Sequence, residues 1–331
     1  MFTYELFGRQ MAWPANWDDL FGREAPLLLE IGFGGGHFLL DLAYKRPLAN
    51  IIGLDISLPA NYRAEKKIRQ AGLTNVRLMQ NSAQFVLWLL CTPQSISEVF
   101  INFPDPWPKS GHQHRRLINV LFLHLLATRM GVGGKLNIAT DHAGYATQIS
   151  ACLEQTPYFV SQRPTPFVTE DSERLQTKYE QLALNDGRTC HYYFWQRNNT
   201  AAPNPFTIPQ ETTMPHLILQ TPLTIQEIES QFQAQDYAEG GVRVRFTAVF
   251  LAQNRHTLLV ETFVAEDPLN QRIAILIRDR GRGEILLGLH EFGFPRPTPG
   301  VQKALALLAK WLETVNPKTI IRHHNLADNS L

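Results

Sequence analysis

PLLLEIGFGGGHFLLDLAY, residues 26–44, sets the register for everything that follows in the chain. Pro26 to Gly32 is a short apolar run that ends in glycine, the pattern of a central parallel strand buried on both faces. Gly32, Gly34, Gly35 and Gly36 make a turn, and Phe38 to Tyr44 reads as a helix. A strand, a glycine turn and a helix in that order open a doubly wound sheet. Working outward, Ile51–Leu54 is a second strand ending in Asp55, and Ala60–Ala71 is a charged helix stopped by Gly72. Val76–Met79 reads as a third strand, Ala83–Leu90 as a helix and Val99–Phe103 as a fourth strand. Leu117–Met130 is a helix, and Gly134–Ala139 a fifth strand running into Thr140-Asp141. Tyr145–Leu153 is helical and His191–Trp195 is a last, aromatic strand. Strands alternating with helices at this spacing predict an α/β sheet with a ligand lying across the carboxyl ends of its strands.

The flanks differ in style. Residues 1–24 carry Phe2, Tyr4, Phe7, Trp13, Trp17 and Phe21 without a clean period, an arm or short helix packed on the domain. Val168–Glu180 is polar. Asn198–Pro215 holds four prolines among Asn, Thr and Ala and reads as a linker. Beyond it Arg243–Phe250, Thr257–Val264, Gln271–Ile277 and Glu284–Leu289 look like successive strands, followed by a helix with Val301, Ala304, Leu308, Trp311 and Val315 on one face. The expected organisation is a first domain over 1–197, a linker over 198–215 and a small α+β domain over 216–331.

Composition narrows the function. The chain has 331 residues, 44% hydrophobic, enough for more than one core. With 31 basic and 30 acidic side chains the formal charge is +1, which argues against a protein that coats DNA but leaves room for a local basic patch. Cys91, Cys152 and Cys190 stand far apart with no CxxC pair and read as free thiols in a reducing compartment. His323-His324 has no third ligand nearby, so no metal site is expected. No run is long enough to span a bilayer, and a soluble cytoplasmic protein, monomeric or homodimeric, is the expectation.

Two segments carry the chemistry. In EIGFGGG, residues 30–36, an acid stands at the entrance of the glycine turn. Glycines let the backbone approach a ligand closely, but Glu30 would repel a diphosphate and suits a cationic amino-acid group. That favours S-adenosylmethionine over a nicotinamide cofactor, with Asp55 placed for ribose hydroxyls. The second segment is NFPDPWPKSGHQHRR, residues 102–116. Its prolines hold Asp105 rigid without regular structure. Lys109, His112, His114, Arg115 and Arg116 then cluster beside the acid, where contact with a polyanion's phosphates is the reading preferred to a solvated helix start. Trp107 reads as packing, and Asp105 on its own could equally cap a turn.

These residues resemble the bacterial tRNA (guanine-N7)-methyltransferases. The resemblance runs from about Leu27 to Arg197 and rests on EIGFGGG at 30–36, GLDISLP at 53–59, NFPDPWPK at 102–109, HQHRRL at 112–117, ATD at 139–141 and TKYE at 177–180. It implies a Rossmann-like class I S-adenosylmethionine-dependent methyltransferase fold with tRNA as partner. It also implies methyl transfer to N7 of the variable-loop guanine, guanine-46. By the same resemblance Glu30, Gly32, Gly34, Gly36, Asp55 and Asp105 contact the cofactor, with Asn81 or Ser82 near its adenine, and Asp105 is the catalytic residue. Lys109, Asp141, Thr177, Lys178, Tyr179 and Glu180 contact the substrate nucleoside, with Asp141 or Glu180 reading the guanine edge. Ser82 stands where the family carries an acid, and Gly111 and His114 stand where arginine and lysine are common. Residues 216–331 lie outside the family's usual extent. Two rival readings stay open: an amino-group methyltransferase, and a catalytically inactive RNA-binding protein with a methyltransferase fold.

Overall fold

The computed structural model describes residues 4–6, 11–171, 176–209 and 214–327. Phe2 and Phe7 of the expected arm, residues 172–175 of the polar stretch, 210–213 of the expected linker and the last four residues lie outside them. The chain divides into two compact units, Met1–Ile208 and Pro209–Leu331.

The first unit begins with α1 (Trp17–Phe21), capped by the Asn16 side chain and closed by left-handed Gly22. Then follow β1 (Leu27–Ile31), α2 (His37–Lys45), β2 (Asn50–Asp55), α3 (Leu58–Gln70) and β3 (Val76–Gln80). The helix expected over 83–90 is shorter. One α-turn, α4 (Ala83–Phe85), is capped by Ser82 and passes into a π-turn over Val86–Leu90 whose side chains are all buried. β4 (Ile96–Asn102), α5 (Val120–Arg129), β5 (Met130–Thr140) and α6 (Ala143–Glu154) complete the alternation. α5 starts three residues later than the apolar pattern suggests, because the Asn119 side chain accepts from Phe122 N and caps it there. β6 (Phe159–Ser161), α7 (Lys178–Asn185) and β7 (His191–Arg197) close the unit.

The sheet order is β3-β2-β1-β4-β5-β7-β6. β1 pairs in parallel with β2 and with β4, β5 runs parallel to β4, and β7 is antiparallel to β5. This is the class I methyltransferase topology, a parallel sheet with one reversed strand. The chain changes winding direction between β1 and β4, so their carboxyl ends flank the crevice where such sheets hold ligands. Leu28, Leu39, Ile51, Ile68, Val76 and Leu78 are almost wholly buried in one core cluster with Phe33 and Phe38. Each such side chain contributes roughly 1.5–3 kcal/mol relative to exposure.

Residues 198–208, expected as linker, are held by the first unit. Arg129 is fully buried and donates to Leu87 O at 2.7 Å and Phe206 O at 2.5 Å, while Trp88 Nε1 donates to Thr207 O at 3.0 Å. Leaving those carbonyls and the guanidinium unmatched in the interior would be costly, so the segment is bound where it lies. Cys91, beside Arg129, is a buried free thiol that burial pushes up to about 12.

The second unit is a seven-stranded sheet, β14-β8-β13-β12-β11-β10-β9. Its strands are β8 (His216–Gln220), β9 (Gln235–Glu239), β10 (Val242–Leu251), β11 (Thr257–Glu266), β12 (Leu269–Gly281), β13 (Glu284–Leu289) and β14 (Ile320–His324), with α8 (Ile225–Gln231) and α9 (Pro299–Val315). β8, β9, β14 and α8 were not foreseen. Val301, Ala304, Leu308 and Leu312 of α9 are buried against Leu217, Phe246, Val260 and Ile275. Buried Glu266 supplies α9 with a remote cap: it accepts from Gly300 N at 2.7 Å and from the Thr298 hydroxyl.

Candidate active site

Five neighbouring strand ends, β1 to β5, open on the crevice, and each brings part of the expected set. Glu30, the fourth residue of β1, is 1% exposed and accepts from Asn102 Nδ2 at 3.4 Å. The following turn places Gly32, Gly34 and Gly36 at φ of 79°, 55° and 74°, all left-handed. Gly36 must also be glycine for space, since a Cβ there would meet the Ala64 Cβ at 2.7 Å. Asp55, at the end of β2, ties its own loop to the glycine turn: Gly34 N donates to Oδ2 and Ser57 N to Oδ1, each at 2.8 Å. A turn held open by left-handed glycines, with one buried and one partly exposed carboxylate at its rim, suits a cofactor with a cationic amino-acid end and ribose hydroxyls.

After β3, Asn81 Oδ1 accepts from Ser82 N at 3.1 Å and Ser82 Oγ accepts from Phe85 N at 3.2 Å. The serine hydroxyl is therefore occupied as a helix cap. The Asn81 amide nitrogen has no partner among the described residues and is the freer group for an adenine edge.

β4 runs into the proline turn through a strained reversal. Phe103 has φ 51° and Trp107 φ 40°, so two bulky residues on either side of Asp105 are left-handed. Each such residue costs about 1–2 kcal/mol, which the surroundings must offset. The offsets are visible. Phe103 N donates to Ala139 O at 2.8 Å, and the Phe103 ring packs with Ala139, Ala183, Cys190 and Tyr192. Arg116, 4% exposed, donates from Nε to Pro106 O at 2.7 Å and from Nη1 to Gln148 Oε1 at 2.7 Å, with its guanidinium over the Tyr145 ring. Burial pushes the Tyr145 phenol up to about 12. Asp105 itself is exposed at the apex. The phosphate contact expected of Arg116 does not fit this placement, because its charge is spent inside the fold holding the turn to α6.

The rest of the basic run faces outward. Ser110–Arg115 forms a 3₁₀ turn with no buried residue. Arg115 lies over the Trp107 ring at 5.0 Å, and His112 meets that ring edge-on at 5.9 Å, while Lys109 and His114 are exposed. Trp107 thus acts as a platform for Arg115.

Asp141, just past β5, is paired with Arg188, which also bonds Asp186 at 2.9 Å. The TKYE segment opens α7 with a capping box: Thr177 Oγ1 accepts from Glu180 N at 3.1 Å and Glu180 Oε2 from Thr177 N at 3.2 Å. Glu180 is fully buried and takes a 2.7 Å hydrogen bond from Tyr192 Oη. Burial first, then that bond, raises the Tyr192 phenol. Lys178 and Tyr179 stay exposed, and a Cβ on Gly34 would lie 3.8 Å from the Tyr179 ring. The start of α7 therefore sits against the glycine turn. Sequence reasoning took the Thr177–Glu180 acid and hydroxyl as substrate contacts; the Thr-x-x-Glu spacing was the available signal for their capping role.

A family model described as "Putative methyltransferase" matches residues 24–193. A tRNA (guanine-N(7)-)-methyltransferase of Thermus thermophilus is 36% identical over 315 residues, 94% of this chain and 96% of that protein. One of Thermotoga maritima is 28% identical and covers 88% of this chain and 91% of its own length. One of Syntrophotalea carbinolica is 36% identical over 207 residues, only 61% of this chain but 89% of that protein. Some relatives match along nearly the whole chain and others over about three fifths of it, so residues 216–331 lie beyond the family's usual extent but within that of some members.

Proposed function

The chain belongs to the tRNA (guanine-N7)-methyltransferase family, and from that premise we propose that it methylates N7 of guanine-46 in the tRNA variable loop, with Asp105 as the catalytic residue. S-adenosylmethionine supplies the sulfonium methyl group. Glu30, the Gly32–Gly36 turn, Asp55 and Asn81 would hold it, because they present acids and left-handed glycines at adjoining strand ends.

Guanine N7 carries an available lone pair, so the residues around it need to position rather than deprotonate. The ring becomes cationic as it is methylated, and a fixed carboxylate beside it lowers the barrier electrostatically. The observation that carries this reading is the held apex of the β4 turn: exposed Asp105 stands between left-handed Phe103 and Trp107, with the turn fastened by Arg116 to Pro106 O at 2.7 Å. A carboxylate carried on a backbone held in advance needs less reorganisation when charge develops.

Recognition of the guanine edge falls to Asp141. Its carboxylate is one residue past β5, beside the β4 turn, and Arg188 is its ion-pair partner. Glu180 is committed to the α7 cap and Tyr192 and acts as support. Lys109, His112, His114 and Arg115 meet the RNA backbone, and Tyr179 lies against the glycine turn.

The test is incubation with labelled S-adenosylmethionine and a tRNA transcript, followed by cleavage specific for 7-methylguanosine. Label together with cleavage at position 46 is expected. Label without that cleavage points to amino-group methylation, and absence of label overturns the enzymatic reading.

A further inference from the structure

On the α2–α3 side of the glycine turn a group of cations gathers with no acid to balance it. Lys67 Nζ donates to Gly35 O at 2.6 Å and lies 2.7 Å from His37 Nε2. An ammonium has only donors, so in this contact the imidazole nitrogen accepts and His37 is neutral. Burial, then Lys67 and Lys178, hold His37 below its ordinary range, and burial with Arg63 does the same to Lys67. Arg63 precedes Lys67 by four residues on α3, so the two project from one face, where like charges repel. Lys178 is the first residue of α7, next to the Tyr179 ring at Gly34.

The nearby acids are engaged elsewhere. Asp55 holds Gly34 N and Ser57 N, Glu65 pairs with Arg69, and Glu180 serves the α7 cap. Among the described residues no ion pair joins Arg63, Lys67 or Lys178 to a carboxylate. His37, Arg63 and Lys178 are exposed. An anion placed among these groups would relieve their mutual repulsion. A single cofactor carboxylate, which brings its own ammonium, does not call for two further exposed cations, Arg63 and Lys178, whereas a polyanionic chain running past the crevice does.

We propose that His37, Arg63, Lys67 and Lys178 form a second grip on the tRNA backbone, separate from the Lys109–Arg115 run. The inference rests on the tRNA reading above. His37, Arg63 and Lys67 rise from the connections after β1 and β2 and Lys178 from the start of α7, while the Lys109–Arg115 run rises from the connection after β4. A nucleotide entering the crevice between them would have backbone on both sides held. The second grip also accounts for a basic run in which Gly111 and His114 replace the more usual cations.

Arg63 is the residue to change, since it makes no hydrogen bond that shapes the glycine turn. Binding of labelled tRNA by anisotropy, and steady-state methylation, would be followed from about 50 to 200 mM salt for wild type, Arg63→Ala and Arg63→Glu. The expected result is a tRNA Kd and KM raised roughly threefold to tenfold in Arg63→Ala, more in Arg63→Glu, with the log–log salt slope shallower by about 0.7–0.9. The cofactor KM stays at the wild-type value. Wild-type slope and tRNA affinity in Arg63→Glu would overturn the proposal, as would a rise in cofactor KM without one in tRNA KM. The binding arm separates the two readings. If wild type binds tRNA with a slope that Arg63→Ala reduces, the grip stands even where position 46 is not methylated. If wild type does not bind tRNA at all, both fall.

Discussion

At the ends of β1, β2, β4 and β5 the charged groups stand beside glycines and left-handed turns, and several have no ion-pair partner among the described residues: Asp105, Lys109, Arg115, Arg63. In the second unit, several charges of opposite sign close on one another. Asp236 accepts from Arg243 Nε at 2.8 Å and Arg245 Nε at 3.0 Å, Lys303 pairs with Glu239 at 2.9 Å, and Arg272 reaches Glu261 at 3.5 Å. Exposed pairs of this kind add little to stability, so their main effect is to flatten the field of that surface. A surface that cancels its own charge is a poor polyanion site; one that leaves cations unmatched around a fixed acid is a good one. The methyltransferase family model, which matches residues 24–193, falls wholly within the first unit.

The largest effect that would break this contrast is at Asp105. Asp105→Asn keeps the shape of the turn and removes its charge, so turnover should fall about 10²–10³-fold, the range for loss of one preorganised electrostatic group. Cofactor affinity, read by calorimetry, should change little. Turnover near wild type would take Asp105 out of the mechanism.

Next come two neighbouring arginines whose positions predict opposite phenotypes. Arg116→Ala leaves Pro106 O and Gln148 Oε1 without their donor in a buried setting, a loss of about 1–3 kcal/mol. Thermal unfolding should come earlier and kcat should fall as the Asp105 turn loosens, with the salt dependence of tRNA binding unchanged. Arg115→Ala should leave thermal stability close to wild type and flatten the salt slope by about 0.7–0.9. Arg116→Lys, which keeps the charge but not the fork, should regain only part of the stability. If instead Arg116→Ala changes the salt slope and not kcat, the arginine belongs to the RNA grip after all.

The contrast between these arginines also shows where the sequence is readable. Glycines and acids at strand ends announce themselves, because turn geometry restricts which residues can stand there; hence the legibility of β1, β2, β4, β5 and the crevice between them. Arg116 announces nothing: adjacent to Arg115 in a basic run, it is distinguished by Gln148 and Tyr145, some thirty residues downstream and brought close by α6. α7 was hidden because Leu182 and Leu184 are exposed and blur its apolar face, although Thr177 and Glu180 spelled its cap. In the second unit β10 to β13 alternate clearly, whereas β9, QDYAE, has almost no apolar face and gains its place through its register with β10, Tyr237 opposite Val244. Strand edges of this kind are set by partners, not by their own pattern.

The smallest expected effect is at Arg243 and Arg245, and it is informative because it should be close to nothing. Alternating with buried Val244 and Phe246, the two arginines share one face of β10, a candidate contact for the tRNA body. In the fold both guanidinium groups bond the single carboxylate of Asp236, which they hold below its ordinary range. Removing both arginines deletes an exposed cluster, which should change thermal stability only slightly. tRNA binding should keep its wild-type salt slope, because no phosphate contact is lost. Asp236→Ala is the sharper version: it frees two cations without adding any. If the second unit lies along the RNA, that variant should bind tRNA more tightly at low salt and the double arginine variant less tightly. If the unit's charges serve only its own surface, neither shift should occur, and the substrate grip belongs wholly to the first unit.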